Sequence, residues 1–173
     1  HVRKALAYVP QDVFLFSTTI AENISFGQDG MSTEQIMQAA KMADVYENIM
    51  EFPGQFETIL GERGVTLSGG QKQRVSIARA LAKNPSMLIL DDCLSAVDTH
   101  TEHKILNNLK KIMVGKTSLI ISHRVSSAKL ANRIMVLQDG QIVETGNHAQ
   151  LMKRKGYYYE LYQNQLNEEE NGL

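Results

Sequence analysis

The sequence has little that would support a secreted, membrane-spanning or nucleic-acid-binding protein. It contains one cysteine, Cys93, so no intrachain disulfide can form and a reducing compartment is expected. Its strongly apolar runs, such as residues 87–90, are far shorter than the roughly 20 residues that span a bilayer. Residues 1–4 lead into a strand pattern rather than the apolar segment of a signal peptide. The net charge of −1 lacks the basic excess that is typical of nucleic-acid binders.

The overall composition indicates a folded, soluble intracellular chain. Hydrophobic residues make up 43% and charged residues 21% of the 173 residues, which argues against disorder. That length fits one domain or a large piece of one. Residues 17–84 are predicted to be helical from their 3.6-residue periodicity, and Ser32 opens one of these helices in a capping box with Gln35.

Strands are predicted on both sides of this helical region. A short strand ends at Pro10, because proline interrupts the hydrogen bonding of a strand. The apolar runs at 87–90 and 118–121 are typical of strands that are buried on both faces of a parallel sheet. Further along, the sequence predicts a hairpin turn at residues 139–140 and helical structure over 148–165.

A serine and two glycines stand at the start of one predicted helix. Gly69 and Gly70 would allow a ligand to approach the backbone closely, and Ser68 adds a hydroxyl at the N-cap. A helix start offers N–H groups and a positive dipole end, which suit phosphate. These three residues alone are equally compatible with an ordinary capped helix.

Polar residues also follow the two apolar strands. Asp91 and Asp92 could hold Mg²⁺ and orient a water molecule, although a strand that ends in a solvated acidic turn would look the same. His123 follows the next strand and could contact a terminal phosphate, but a lone histidine is more often structural. Gln11, taken alone, is typical of any polar loop.

The order of these segments is informative, because together they resemble the ATP-binding cassette (ABC) ATPases over nearly the whole chain. In addition, residues 58–64 look like the X-loop of the exporter branch. The matching segments, which resemble the Q-loop, signature, Walker B strand, D-loop and switch-histidine loop in that order, are YVPQ at 8–11, LSGGQKQR at 67–74, MLILD at 87–91, SAVD at 95–98 and ISHR at 121–124.

This resemblance implies an α/β fold. The fold is a P-loop NTPase-like (RecA-like) parallel sheet core, incomplete here, with an inserted all-helical signature subdomain. The implied parts are a core strand and loop at 1–16, the helical subdomain at 17–84, the rest of the core at 85–165 and an acidic tail at 166–173.

The resemblance also implies the site residues, with ATP and Mg²⁺ as ligands. Asp91 and Gln11 would hold Mg²⁺, and Asp92, His123 and Gln11 would act on the terminal phosphate. The nucleotide-binding residues carried over from the family are Ser68, Gly69, Gly70, Gln71 and Asp98.

One departure from the family pattern is the absence of a Walker A loop. No GxxxxGK[ST] segment occurs in the sequence, so the lysine and backbone cradle for the β- and γ-phosphates are missing. We therefore expect the chain alone not to hydrolyse ATP, whereas a longer parent would be an ATPase.

A second departure is Asp92, which stands where the family usually has glutamate. Its carboxylate is about 1.5 Å shorter in reach, and a misplacement near 1 Å can lower a rate about 100-fold. This resembles the degenerate-site subunit of heterodimeric multidrug or lipid exporters. The alternative is that Asp92 serves adequately.

The implied function is that of an exporter ATPase region at the cytoplasmic face of the membrane, where ATP-driven dimer closure and hydrolysis are coupled to export. Its implied partners are a second ATPase domain, arranged head to tail, and a transmembrane domain, but not nucleic acid. Two alternatives remain: a soluble ABC ATPase that acts on DNA or ribosomes, and a truncated, non-catalytic module that offers its signature in trans.

Overall fold

The computed structural model describes residues 5–61 and 65–170 of the chain. The chain forms two compact units, His1–Leu119 and Ile120–Leu173, which are described separately below. The division inferred from the sequence, with boundaries at residues 16, 84 and 165, stays a prediction. No helix in the described ranges is long and apolar enough to cross a bilayer.

A three-stranded parallel sheet carries the predicted motif strands. Its order is β1 (Leu6–Val9), β2 (Met87–Asp91) and β3 (Thr117–Ile121), and β1 pairs with β2 in parallel. Parallel pairing was predicted and is confirmed. It brings the carboxyl ends of β1 and β2 to the same edge of the sheet, where the candidate site residues follow.

The predicted burial of two strands on both faces is corrected by the structure. In β2, Leu88 and Leu90 are buried, whereas Met87 and Ile89 are only half-buried. In β3, Leu119 is 43% and Ile121 46% exposed. The reason is that β3 is the edge strand of the described sheet, so its side chains have a neighbouring strand on one side only.

The helical region packs around one long helix. Ser32 forms the predicted capping box with Gln35, which is thereby confirmed. Short β-bridges join Thr19 to Ile59 and Leu60 to Val65. The prediction that the whole region is helical is therefore corrected. The helices of the first unit are α1 (Ile20–Ser25), α2 (Thr33–Met42), α3 (Tyr46–Met50), α4 (Gly69–Ala82) and α5 (Thr99–Ile112), with a 3-10 turn at Gln55–Glu57.

Helix α4 is the centre of this packing. Its Val75, Ile77 and Ala78 are fully buried, and the helix lies against α1 and α2. Arg79 ties α4 to α1, because its guanidinium donates to the Asn23 carbonyl at 2.7 Å and to the Asn23 side-chain oxygen at 2.8 Å. The start of α4 is therefore presented by a helix whose apolar face is firmly packed.

The second unit has its own small core. Its elements are α6 (Val125–Ala128), β4 (Ile134–Gln138), β5 (Gln141–Gly146), α7 (His148–Arg154) and α8 (Tyr157–Glu170). Strands β4 and β5 form the hairpin that the sequence predicted. Helix α8 continues to Glu170, so most of the segment expected as an acidic tail is helical. The buried centre of this unit consists of Val125, Ile134, Leu151 and Tyr158.

Candidate functional site

The start of α4 is a capped helix end with two glycines in its first turn. The Gln71 amide donates to Ser68 Oγ at 3.2 Å, and the Ser68 amide donates to Gln71 Oε1 at 2.9 Å. The side chain of Gln71 is therefore engaged in the capping box. Gly69 and Gly70 follow Ser68, and the N–H groups of a first helical turn suit an anionic ligand.

The segment at 95–98 lies directly on this helix start. A Cβ atom on Gly70 would be 2.8 Å from the carbonyl oxygen of Ala96, whereas one on Gly69 would be 3.5 Å from the Ala96 Cβ. Only glycine fits at position 70 without displacing backbone. The sequence predicted that these glycines let a ligand approach the backbone closely. At Gly70 the group that approaches is instead the backbone of Ala96, and the approach of a ligand stays a prediction.

Gln73 fastens the same segment to α4, and sequence reasoning missed it. Its side chain is only 5% exposed, donates to Ser95 Oγ at 3.1 Å, and accepts from the Ala96 amide at 3.0 Å. A signal was present, because Gln73 lies four residues before Ile77 and so interrupts the apolar stripe of α4. A buried polar side chain in such a stripe usually has hydrogen-bond partners.

Arg74 and Asp98 place opposite charges beside the helix start. The Arg74 guanidinium donates to the Gly70 carbonyl, to Asn48 Oδ1 at 2.9 Å and to the Asp44 carbonyl. Burial lowers the pKa of Arg74, and the charges of Asp44 and Asp98 oppose that shift. The Asp98 carboxylate caps α5, where the Thr101 amide donates to it and lowers its pKa.

These groups surround one open depression of about 440 Å³. It is lined by residues 68–70, Arg74 and residues 96–98. Four of the predicted nucleotide-binding positions, Ser68, Gly69, Gly70 and Asp98, therefore come together. A hydroxyl, the amides of a helix start and a nearby guanidinium are groups that bind an anion.

A second cluster lies at the carboxyl ends of β1 and β2. Gln11 Nε2 donates to Asp92 Oδ2 at 3.3 Å, and the Tyr8 hydroxyl donates to Asp91 Oδ2 at 2.9 Å. Asp92 has a φ of 42°, in the left-handed region. The structure thus brings together Gln11, Asp91 and Asp92 as predicted, and adds Tyr8, which sequence reasoning missed.

The Tyr8 contact follows from the strand register. Tyr8 is opposite Ile89, so its side chain shares a face of the sheet with Ile89 and Asp91. The hydrogen bond to Asp91 is the main reason that the pKa of Tyr8 is raised. The phenol therefore stays protonated at neutral pH and serves as the donor.

The donor set of this cluster fits Mg²⁺. The Asp91 carboxylate and the Gln11 amide oxygen are hard oxygen donors, and the amide nitrogen of Gln11 is already directed to Asp92. No group of three or more Asp, Glu, His or Cys residues capable of holding a metal occurs in the described ranges. A few protein oxygens completed by water and phosphate oxygens are the usual environment of Mg²⁺.

His123 belongs to the second unit, where it is exposed. Its carbonyl accepts a hydrogen bond from Gln165 Nε2 at 2.7 Å. Its predicted role beside Asp91 and Asp92 stays a prediction. The X-loop predicted at 58–64 falls in part on residues 62–64, which lie outside the described residues.

Comparison with known proteins decides the family. The ABC transporter family model matches residues 1–95, which is more than half of the chain. The chain belongs to the ABC transporter family. The resemblance inferred from the motifs is thereby confirmed.

Similar ABC proteins include exporters. The chain is 50% identical over 161 residues to YknU of Bacillus subtilis, an ABC transporter ATP-binding protein that is described as uncharacterized. This match covers 93% of the chain and 28% of YknU. The chain is 43% identical over 171 residues to the ATP-dependent lipid A-core flippase of Syntrophus aciditrophicus, covering 99% of the chain and 28% of that protein. The chain therefore spans less than a third of these relatives.

The fold is also similar to a solved ABC exporter. The chain superposes on a bacterial Atm1-family ABC exporter with ATP bound, with a TM-score of 0.88 and 43% sequence identity. The match covers 95% of this chain and 29% of the exporter chain. The α/β fold thus matches an exporter nucleotide-binding domain, consistent with a partial P-loop NTPase-like domain. The predicted fold class is confirmed.

Proposed function

We propose that this chain is the C-terminal part of an exporter ATP-binding domain that couples ATP binding and hydrolysis to transport. The observation that carries the proposal is the depression at the start of α4, where Ser68, Gly69 and Gly70 meet the segment that ends at Asp98. Its helix amides and hydroxyl suit the terminal phosphate of ATP. This motif, in a chain of the ABC family with exporter relatives, favours an ATPase role.

In this proposal the depression completes a site on a second ATPase domain. The two domains pair head to tail, and ATP held by the partner lies between them. Ser68, Gly69 and Gly70 face its terminal phosphate, and Asp98 lies at the seam. Dimer closure on ATP, followed by opening after hydrolysis, drives the transport cycle.

The cluster at the ends of β1 and β2 serves the nucleotide held by this chain's own domain. Asp91 and Gln11 hold Mg²⁺, which offsets the negative charge of the phosphates when it is bound. Asp92 orients and deprotonates the attacking water, and His123 contacts the terminal phosphate. The Gln11 hydrogen bond to Asp92 supports this assignment, because it fixes that carboxylate beside the Mg²⁺ ligands.

Asp92 makes this second site the weaker of the two. An aspartate is shorter than the usual glutamate, so its carboxylate stands about 1.5 Å farther from the water it would activate. The signature of this chain is intact, so the site that it completes on the partner is the competent one. The assembly is therefore a heterodimeric exporter, with the ATPase domains at the cytoplasmic face of the membrane.

An exposed aromatic patch, defined as Phe14, Phe16 and Phe26, supports docking to a transmembrane domain. Phe14 is 66% and Phe26 54% exposed, and both rings pack on Phe16, at 5.1 and 4.3 Å between ring centroids. Exposed clusters of this kind mark interaction surfaces. The guanidinium of Arg79, on α4, stands 5.5 Å from the Phe16 ring, so the patch and the depression are joined by one helix.

The test uses the longer protein, reconstituted in lipid nanodiscs with its partner. We expect Mg²⁺-dependent release of phosphate from ATP, and we expect Ser68→Arg to remove it because the bulky side chain fills the depression. Ser25→Ala, which alters a serine on α1 away from the depression, is the control and should leave turnover intact. Recovery of the protein in the soluble fraction with ribosomes or DNA would instead favour the soluble ABC class.

A further inference from the structure

A glutamine near the end of the described chain holds the backbone on both sides of Arg124. Gln165 Nε2 donates to the carbonyl oxygen of His123 at 2.7 Å, and Gln165 Oε1 accepts from the Val125 amide at 2.8 Å. One carboxamide therefore bonds the residue before and the residue after Arg124. Both contacts lie within the second unit.

The backbone conformation explains why one side chain satisfies both groups. Arg124 is extended, with φ −96° and ψ 127°. In an extended chain the carbonyl of one residue and the amide two positions later point to the same side. Gln165 thus pairs with residues 123–125 as a neighbouring strand would.

The segment lacks a side-chain cap of its own at this point. Val125 opens the short helix α6, and its N-cap, Arg124, makes no side-chain capping hydrogen bond. Val125 is only 2% exposed, so an unpaired amide there would be costly. Val125 is the first residue of the helix, where the amide has no acceptor within the helix, and Gln165 supplies that acceptor.

Helix α8 holds Gln165 in place for this contact. Tyr158, Leu161, Tyr162 and Gln165 recur at helical spacing, so they share one face. The first three pack in the core of the second unit, and Lys129 Nζ lies 4.3 Å from the centre of the Tyr162 ring. The carboxamide is therefore anchored by a packed helix face.

We propose that Gln165 is a positioning residue for His123, acting through the backbone of residues 123–125. The inference rests on the phosphate-contacting role of His123 under the proposed function. It gives the C-terminal helix a part in that role, because α8 fixes the backbone from which the His123 side chain extends. His123 itself is exposed, so its backbone is the part that the fold holds fixed.

The experiment replaces Gln165 by methionine in the longer protein with its partner. Methionine keeps the length of the side chain and removes both hydrogen bonds. To isolate this chain's own site, the comparison is made in a background in which Ser68→Arg silences the site on the partner and Asp92→Glu strengthens the site on this chain. In that background we expect kcat for ATP to fall about 10-fold to 100-fold, because a small misplacement of a reacting group has effects of that size. The KM for ATP should stay within about two-fold, since a positioning defect acts on the chemical step. The matched control, Gln163→Met, changes a neighbouring glutamine on the same helix and should alter neither constant.

A second measurement reads the contact directly. Amide hydrogen exchange of the peptide that contains residues 123–125 should be faster in Gln165→Met than in Gln163→Met. Where the methionine variant does not fold, Gln165→Glu is used instead, because it keeps an acceptor for Val125 and loses the donor to His123. Unchanged exchange, or an unchanged kcat while His123→Ala lowers it, would overturn the inference. If His123→Ala itself leaves kcat unchanged, the assigned role of His123 fails first, and the inference falls with it.

Discussion

A side chain at Gly70 would collide with the backbone carbonyl of Ala96, because its Cβ would lie 2.8 Å from that oxygen. We expect Gly70→Ala to lower stability, even though alanine is usually favoured over glycine in a helix by about 0.5–1 kcal/mol. The control is Gly69→Ala, whose Cβ would make an ordinary contact of 3.5 Å with Ala96. Thermal unfolding of both variants is the measurement, and a Gly70→Ala protein more stable than Gly69→Ala would contradict the prediction.

Gln73 should be a large contributor to stability among the polar residues of α4. Gln73→Met removes the hydrogen bonds to the Ala96 amide and to Ser95 Oγ, whereas Ser95 Oγ keeps its bond to the Asp92 carbonyl. Each lost hydrogen bond contributes about 0.5–1.5 kcal/mol, and we expect the free energy of unfolding to fall by about 1–3 kcal/mol. Urea titration checks it, with Lys72→Met, an exposed position on the same helix, as the control. Equal effects of the two substitutions would argue against the Gln73 contacts.

The sequence was sufficient to predict the parts of the site that depend on strand ends and helix starts. The apolar runs at 87–90 and 118–121 predicted a parallel sheet, and the family resemblance added β1 to it. The parallel pairing of β1 with β2 places Gln11 beside Asp92. The burial of β3 was mispredicted, since an apolar run does not reveal which strand stands at the edge of the described sheet.

Three supporting residues were missed for a common reason. Tyr8, Gln73 and Gln165 act on partners that are 83, 22 and 42 residues away in the sequence. Gln73 and Gln165 bind backbone groups. Since every residue has such groups, the sequence does not indicate which residue is the partner. Only Gln73 could have been suspected, because it is a polar residue on an apolar helix face.

Asp92→Glu should raise ATP hydrolysis by the longer protein. Glutamate brings the carboxylate about 1.5 Å closer to the attacking water, and the gain at this chain's own site can reach about 100-fold. That gain is read with Ser68→Arg silencing the site on the partner, which otherwise dominates turnover. Phosphate release is measured in the assembled dimer. The companion variant Asp91→Glu should lower turnover instead, because it moves the proposed Mg²⁺ ligand. Flat or reduced activity in Asp92→Glu would remove the main support for a degenerate site.

The 173-residue chain on its own should release no phosphate from ATP. It has no GxxxxGK[ST] segment, so the groups that hold the β- and γ-phosphates are absent from it. A malachite-green assay on the purified chain is the measurement, and Asp92→Glu in the same chain is the control for contaminating ATPases. Turnover that persists through purification and differs between the two proteins would refute this prediction.

Tyr8→Phe should weaken the binding of divalent cations by the longer protein in the presence of ATP. The change removes only the hydroxyl that donates to Asp91 Oδ2 at 2.9 Å, and Tyr8 is half exposed, so the fold should tolerate it. Partners that orient a metal ligand typically contribute about 10-fold to 100-fold in metal affinity. Mn²⁺ titration followed by electron paramagnetic resonance reports affinity independently of turnover. Tyr157→Phe, at a similarly exposed tyrosine, should bind Mn²⁺ as the unaltered protein does. Identical Mn²⁺ affinities in the two variants would mean that the Tyr8 hydroxyl does not orient Asp91 for the cation.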